Sequence, residues 1–306
     1  MSILKLKPAL KDYLWGGTRL KTEFKMESEL AKVAEAWVLS THKDGPSVVV
    51  SGDLSGKTLS EAVEFLGEDA LGQRGKAFEF FPILIKLIDA KDDLSVQVHP
   101  EDEYALKTEG EYGKTEMWYI VDCEEGATLY FGFKEEISKE EFRRRIEDNT
   151  LTEVLNRVPV KKGDVFFIDA GTIHAIGKGI LIAEIQQNSN TTYRVSDYGR
   201  LGADGKPRPL HIEKALEVTK LEKPSVQENL PSGVLACCKY FNVKLHNIDG
   251  ELKLNVDNES FSSLLVLDGE IEVGDVTLKK GECCFITANS GEIKISGTAK
   301  AIESRV

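Results

Sequence analysis

VPVKKGDVFFIDAG, residues 158–171, returns at residues 276–289 as VTLKKGECCFITAN. The two copies share V-x-[V/L]-K-K-G-[D/E]-x-x-F-I-x-A at an offset of 118 positions with no gap. In each, an extended piece with alternating apolar residues runs into a Lys-Lys-Gly-acid turn and then into a second strand. The turn calls for glycine because the backbone there adopts positive φ, which costs any residue with a Cβ. Around the copies lie further short extended runs: EMWYIV (116–121), ATLYFGF (127–133) and SSLLVLDGEIEV (262–273). Many short strands joined by glycine-containing turns indicate sandwiches or closed barrels, and two copies of the motif indicate two such units.

Helical signals fall between the strands. Thr58-x-x-Glu61 and Ser138-x-x-Glu141 read as capping boxes, and HIEKALEVTK (211–220) reads as a further helix. LEKPSVQENLPSG (221–233), with two prolines and a glycine, reads as a linker. The expected fold is mainly β with added helices. Residues 1–220 would form the larger unit and residues 234–306 a small second one.

Bulk composition narrows the function classes. In 306 residues, 39 Lys and Arg against 51 Asp and Glu give a net charge of −12, which disfavours nucleic acid or an anionic membrane as partner. A small anionic substrate would need a local cluster of cations. No apolar run approaches the roughly 20 residues of a membrane span, and the lysine-bearing N-terminus lacks the apolar core of a secretion signal. Five cysteines, an odd number without any C-x-x-C spacing, suit reduced core thiols in a cytoplasmic protein.

The candidate chemistry lies in LSVQVHPED (94–102). Alternation along a strand sends Leu94, Val96 and Val98 to one face and Ser95, Gln97 and His99 to the other. His174, three residues after Gly171 in the first copy of the repeat, has Glu292 as its counterpart in the second, so a metal would sit in the first unit. His99, Glu116 and His174 are a ligand set for a borderline first-row metal such as Zn²⁺, with at least one position left open. Their separations, 17 and 58 residues, form no compact signature and leave open two ordinary loop histidines and an exposed glutamate.

Several blocks carry a family resemblance. GDVFFIDAGTIH (163–174) is similar to the second cupin motif, with Asp169 in place of its proline. FPILIKLIDAKDDLSVQVHPED (81–102), GKTEMWYIV (113–121), GTIHAIG (171–177) and EIQQNSNTTYRVSDYGR (184–200) together resemble type I mannose-6-phosphate isomerases of the short bacterial form, as do WGGTRL (15–20) and AEAWVLSTH (34–42). The resemblance is close over about residues 1–215 and looser beyond. It implies two cupin-type jelly-roll barrels and a metal-dependent aldose–ketose isomerase that interconverts mannose 6-phosphate and fructose 6-phosphate through an enediolate-type intermediate. By the same resemblance Gln97, His99, Glu116 and His174 bind one Zn²⁺. Arg194 is the essential arginine, Glu184 an active-site acid, and Ser95, Lys114 and Arg200 meet the phosphate. Other members have lysine at the position of Arg200, so the charge is kept while its geometry changes. Lys114, two residues before Glu116, shares its face of the strand.

Two other readings compete. An iron-dependent cupin oxygenase would use His99, Glu116 and His174 as a two-histidine, one-carboxylate triad. A non-catalytic sugar-binding cupin would keep the pocket alone. Gln97, Lys114, Arg194 and Arg200 favour a phosphorylated hexose as partner over the oxygenase. His42, His211 and His246 are left outside the site. Trp15, Trp37 and Trp118 read as core or pocket wall.

Overall fold

The computed structural model describes residues 2–202 and 205–306. Its two repeat copies are superimposable in their hydrogen bonding. The backbone N–H of the acid donates to the carbonyl of the first lysine, Asp164 to Lys161 at 3.1 Å and Glu282 to Lys279 at 2.8 Å. The acid side chain in turn accepts from that lysine's N–H, at 2.9 and 2.7 Å. Gly163 (φ 93°) and Gly281 (φ 86°) adopt the positive φ that the turn requires. Each glycine N–H donates outward to a neighbouring strand, at Ile120 and Val266. The acid thus closes the turn from inside and the glycine docks it from outside.

In the first copy the turn is a corner between two sheets. Leu155–Pro159 pairs with Thr128–Phe133, whereas Val165–Ile168 pairs with Glu116–Cys123 in the other sheet. The five-stranded sheet runs Tyr193–Ser196, Val96–Val98, His174–Ala175, Thr128–Phe133, Leu155–Pro159. The six-stranded sheet runs Val165–Ile168, Glu116–Cys123, Ile180–Gln187, Ile83–Ala90, Glu35–Leu39, Ala9–Lys11. Neighbouring strands in both sheets run antiparallel, and the inner faces of the two sheets meet over Trp15, Ile88, Trp118, Ile120, Phe131 and Ile182. This is a jelly-roll sandwich.

The outer faces are covered too, which explains strands with no solvent-facing alternation, such as Ile83–Ala90 and Ile180–Gln187. Helices Lys139–Glu147 and Ile212–Val218 pack Phe142, Ile146, Ala215 and Leu216 onto Val96, Val98 and Tyr193 of the five-stranded sheet. Thr58 forms the full capping box with Glu61 at the start of helix Leu59–Leu66. Ser138 caps only one way: Glu141 turns its carboxylate to Arg144 and Arg145 instead. Leu94 departs from the expected alternation. It precedes the short strand and joins the inner core with Ile88 and Trp118, while Val96 and Val98 face the helices.

The third sheet, of eight strands, belongs mostly to residues 234–306, and one of its faces gathers into a separate core around Val256, Leu264, Val266 and Ile295. Its membership crosses the division expected at residue 220. Ile3–Lys7 inserts beside Cys283–Ile286 with Ile3 opposite Ile286 and Leu6 opposite Cys283, and Val48–Val49 adds to its other edge. The chain's first strand therefore completes the sheet of its last unit. Residues 221–233 carry no helix or strand.

Candidate metal centre and active-site cavity

Strand register builds the site as two facing rows. On the five-stranded sheet Gln97 pairs with His174 on one side and Arg194 on the other, so the three side chains lie in a line across the strands. On the six-stranded sheet Glu184 pairs with both Trp118 and Lys86, and Lys86 with Trp37. Glu116 and Glu35 stand two residues before Trp118 and Trp37 and share that face. His99 follows the end of Val96–Val98 and reaches the gap between the rows.

His99, Glu116 and His174 converge there, completely enclosed, with one ligand atom of each lying within 4.8 Å of the others. His174 Nε2 is 3.3 Å from Glu116 Oε1, and His99 Nε2 is 3.8 Å from Oε2. Tetrahedral zinc with bonds of about 2.0–2.2 Å places its ligand atoms roughly 3.3–3.6 Å apart, so the cluster is already near ligating size. Each imidazole is oriented through its other nitrogen. His99 Nδ1 lies 2.8 Å from the Thr191 carbonyl and His174 Nδ1 2.8 Å from that of Thr172. Donation to those carbonyls puts the ring proton on Nδ1 and leaves both Nε2 lone pairs facing Glu116, the tautomer that a metal requires. Burial, reinforced by Lys114, holds both imidazoles well below their ordinary pKa, His174 at about 3, so they are neutral at pH 7. Among the described residues Glu116 Oε1 has no hydrogen-bond donor. Lys114 meets the other oxygen, Oε2, and leaves Oε1 turned to His174; two imidazole nitrogens and a carboxylate at these distances are a donor set that fits a divalent metal. The Gln97 amide nitrogen lies 3.4 Å from His174 Nε2, and with the amide turned over its oxygen would be a further ligand.

Beside this cluster opens a cavity of about 320 Å³. Ser95, Gln97, Lys114, Glu184 and Arg194 line it, as the sequence suggested, together with Glu35, Lys86 and Arg208, which it did not. Lys114 Nζ lies 2.7 Å from Glu116 Oε2, 3.1 Å from His99 Nε2 and 3.9 Å from Glu184 Oε1. Lys86 pairs with Glu184 Oε2 at 3.1 Å and lies 3.9 Å from Glu35. Two indoles complete the network: Trp118 donates to Glu184 at 3.1 Å and Trp37 to Glu35 at 2.7 Å. Burial pushes Glu116 up, against the opposing pull of Lys114. Burial also works to raise Glu184, but Lys114 and Lys86 outweigh it and hold that carboxyl well below the ordinary carboxylate range. The site thus contains two buried carboxylates that share Lys114: Glu116, which faces the two imidazoles, and Glu184, which Lys86 and Lys114 keep ionised.

Arg194 donates Nη1–H to the Pro209 carbonyl, and its backbone N–H goes to His211 Nδ1 at 3.0 Å; its buried Nε has no partner among the described residues. His211, set aside on sequence grounds, therefore supports the arginine strand. Arg200 lies off the cavity wall, bonded to Asp197 and to the Asp93 carbonyl. Arg208 grips the same Asp197 in a fork, Nε to Oδ2 at 2.8 Å and Nη2 to Oδ1 at 2.6 Å, and it is this arginine that faces the cavity. Four cations, Lys86, Lys114, Arg194 and Arg208, stand against Glu35 and Glu184 on the wall. Lys114 and Arg208 also pair with Glu116 and Asp197 behind the wall, so it is the gathering of charged N–H donors, in a chain of net charge −12, that suits an anion.

Comparison with known proteins agrees with this picture. Residues 3–126 match the family model described as phosphomannose isomerase type I, catalytic domain, and residues 233–306 that of the mannose-6-phosphate isomerase cupin domain. The chain is 41% identical to mannose-6-phosphate isomerase ManA of Bacillus subtilis, covering 99% of this chain and 98% of that protein. It is 39% identical to the mannose-6-phosphate isomerase of Streptococcus mutans over 98% of this chain and 97% of the other. The crystal structure of a B. subtilis mannose 6-phosphate isomerase superimposes with a TM-score of 0.89 at 37% identity, covering all of both chains. At 24% identity, a putative mannosephosphate isomerase from Archaeoglobus fulgidus shares the fold, with a TM-score of 0.81 over 99% of this chain and 96% of that one. Over its full length, then, this chain belongs to the type I mannose-6-phosphate isomerase family.

Proposed function

We propose that this protein interconverts mannose 6-phosphate and fructose 6-phosphate with one Zn²⁺ held by His99, Glu116 and His174, assisted by Gln97. The carrying observation is the convergence of the two Nε2 atoms on the buried Glu116 carboxylate, His174 on Oε1, which has no donor among the described residues, and His99 on Oε2. A bound divalent ion would supply electrophilic stabilisation of the oxygens that gain charge as the proton next to the carbonyl is removed.

The remaining roles follow from where the side chains stand. Glu184, ionised and in the cavity wall, is placed to accept and return a proton, while Lys86 and Lys114 keep it in the basic form. Arg194 brings a permanent positive charge with an unused buried N–H to an oxyanion. Ser95 and Arg208 meet the phosphate, and Arg200 contributes by holding Asp197, which orients Arg208. Lys114, locked between Glu116 and Glu184, serves the reacting centre more directly than the phosphate. An oxygenase would have no use for four cations around its pocket. That all five cysteines are free, in the described structure, supports a reducing compartment such as the cytoplasm. No helix is long and apolar enough to cross a membrane.

The test is a coupled assay on mannose 6-phosphate before and after dialysis against a chelator. Activity is expected to vanish and to return with Zn²⁺. Turnover that persists in protein shown by elemental analysis to be metal-free would refute the reading.

A further inference from the structure

The loop Asn188–Thr192 joins the strand that carries Glu184 to the strand that carries Arg194, and its Thr191 carbonyl orients His99. Within the loop the Ser189 hydroxyl accepts from the Thr191 N–H at 3.2 Å, and Gln186 donates to the Ser189 carbonyl at 2.6 Å. Asn190, at the tip, is clamped from outside. Glu111 Oε2 accepts from the Asn190 backbone N–H at 3.1 Å and lies 3.4 Å from the Thr191 hydroxyl. Asp44 accepts from the Asn190 amide at 2.9 Å, and Thr41 from that of Asn188 at 3.1 Å.

Glu111 is itself held. His42, whose side chain is 5% exposed, accepts the Asp44 backbone N–H on Nδ1, which leaves its proton on Nε2, 3.3 Å from Glu111 Oε1. Lys43 lies 3.2 Å from the same oxygen. One carboxylate therefore spends one oxygen on the segment 41–44 and the other on the loop, and so ties the two together behind the metal centre. We infer that Glu111 is a positioning residue that sets the Thr191 carbonyl and, through it, the ligating orientation of His99. This inference rests on the metal reading above. The physical ground is that a ligating imidazole is aimed by the acceptor on its other nitrogen; without the clamp the carbonyl shifts and Nε2 loses its aim.

The test measures zinc affinity of the apoprotein by competition with a chromophoric chelator, with circular dichroism confirming the fold. Loss of a ligand's direct outer partner costs about 10- to 100-fold in metal affinity; Glu111 acts one contact further out, so Glu111→Ala is expected at the low end, about 10-fold. Glu111→Gln, which keeps an oxygen for Asn190, should lose less. In a His99→Ala background, Glu111→Ala should cost nothing more, an outcome that a merely structural role would not produce. Unchanged affinity in Glu111→Ala, or an equal loss with and without His99, overturns the inference. If His99→Ala alone binds zinc as tightly as the parent, the metal assignment itself fails, a distinguishable result. Should Glu111→Ala not fold, Asp44→Ala, which removes the Asn190 amide contact, takes its place. A measurable loss that again depends on His99 is expected there, and unchanged affinity overturns the inference.

Discussion

Lys86 lies in ILIKLIDA (83–90), a run whose one other charged residue is Asp89, and it is 4% exposed. An ammonium in such a place costs several kcal/mol unless it is paired. Burial alone would lower its pKa, but Glu184 and Glu35 outweigh that and raise it, so the charge stays and keeps Glu184 ionised. Arg208 has the opposite character: a loop residue whose fork is aimed by Asp197. If it meets the phosphate, Arg208→Met removes a charge-assisted hydrogen bond of about 1.5–3 kcal/mol, roughly a 10- to 100-fold rise in KM. Because the phosphate does not react, kcat should change little. Steady-state kinetics with zinc content measured in parallel checks this; an unchanged KM would take Arg208 off the phosphate. His99, Glu116, His174 and Gln97 were legible in the sequence because each sits in a recognisable block. Lys86 and Arg208 were not. Which way Lys86 points depends on register with Ile180–Gln187, and the orientation of Arg208 on a loop contact with Asp197 that no spacing encodes.

At the scale of elements, the Lys-Lys-Gly-acid turn was readable because its stability is local: one carboxylate, one backbone pair and one positive φ suffice. The long strand Gly291–Arg305 was harder, since its residues are chosen by two neighbours at once, Asn242–Val256 and Ser262–Val273. Glu303 on that strand shows the consequence. It is 3% exposed yet accepts from His246 at 2.8 Å, from Arg305 at 2.6 Å and from Ser262 at 3.2 Å. Burial works to raise its pKa, but His246 and Arg305 outweigh it and hold it below the ordinary value. A carboxyl lowered on folding contributes stability above its unfolded pKa, near 4.5, and loses it as pH falls through the folded value. Glu303→Gln should therefore melt below the parent at pH 7, by the equivalent of about 1–3 kcal/mol for a lost charged hydrogen bond. The gap should narrow as pH drops under about 4.5. Melting curves from pH 7 to 3.5 decide it; a gap that does not depend on pH would mean that Glu303 acts by packing alone. His246, incidental to catalysis in the sequence reading, thus has a structural task.

For the whole molecule the question is whether the two units behave as one. The sequence suggested a border at residues 221–233, because a proline-rich stretch separates the two repeat copies. What it did not reveal was the return of Ile3–Lys7 to the far sheet, since a strand as short as ILKLK fits any edge that offers backbone partners. The largest core joins the outer face of the six-stranded sheet, through Ile85, Leu87, Met117 and Ile185, to Phe241, Leu265, Phe285 and Ile302 of the C-terminal sheet. Leu6, 2% exposed, lies in that shared core on the inserted strand. Neither unit can unfold without exposing the other's apolar face, at about 25 cal/mol for each Å². The protein should therefore melt in a single calorimetric transition, and Leu6→Ala should lower that transition as a whole by the equivalent of about 2–5 kcal/mol. If the proposed site takes zinc, an ion that binds only the native state stabilises by mass action, so adding it to the apoprotein should raise the same transition, including the part contributed by residues 234–306, which hold none of the proposed ligands. Two resolved transitions, with zinc moving one and Leu6→Ala the other, would show that the inserted strand ties the units together sterically without coupling their stabilities.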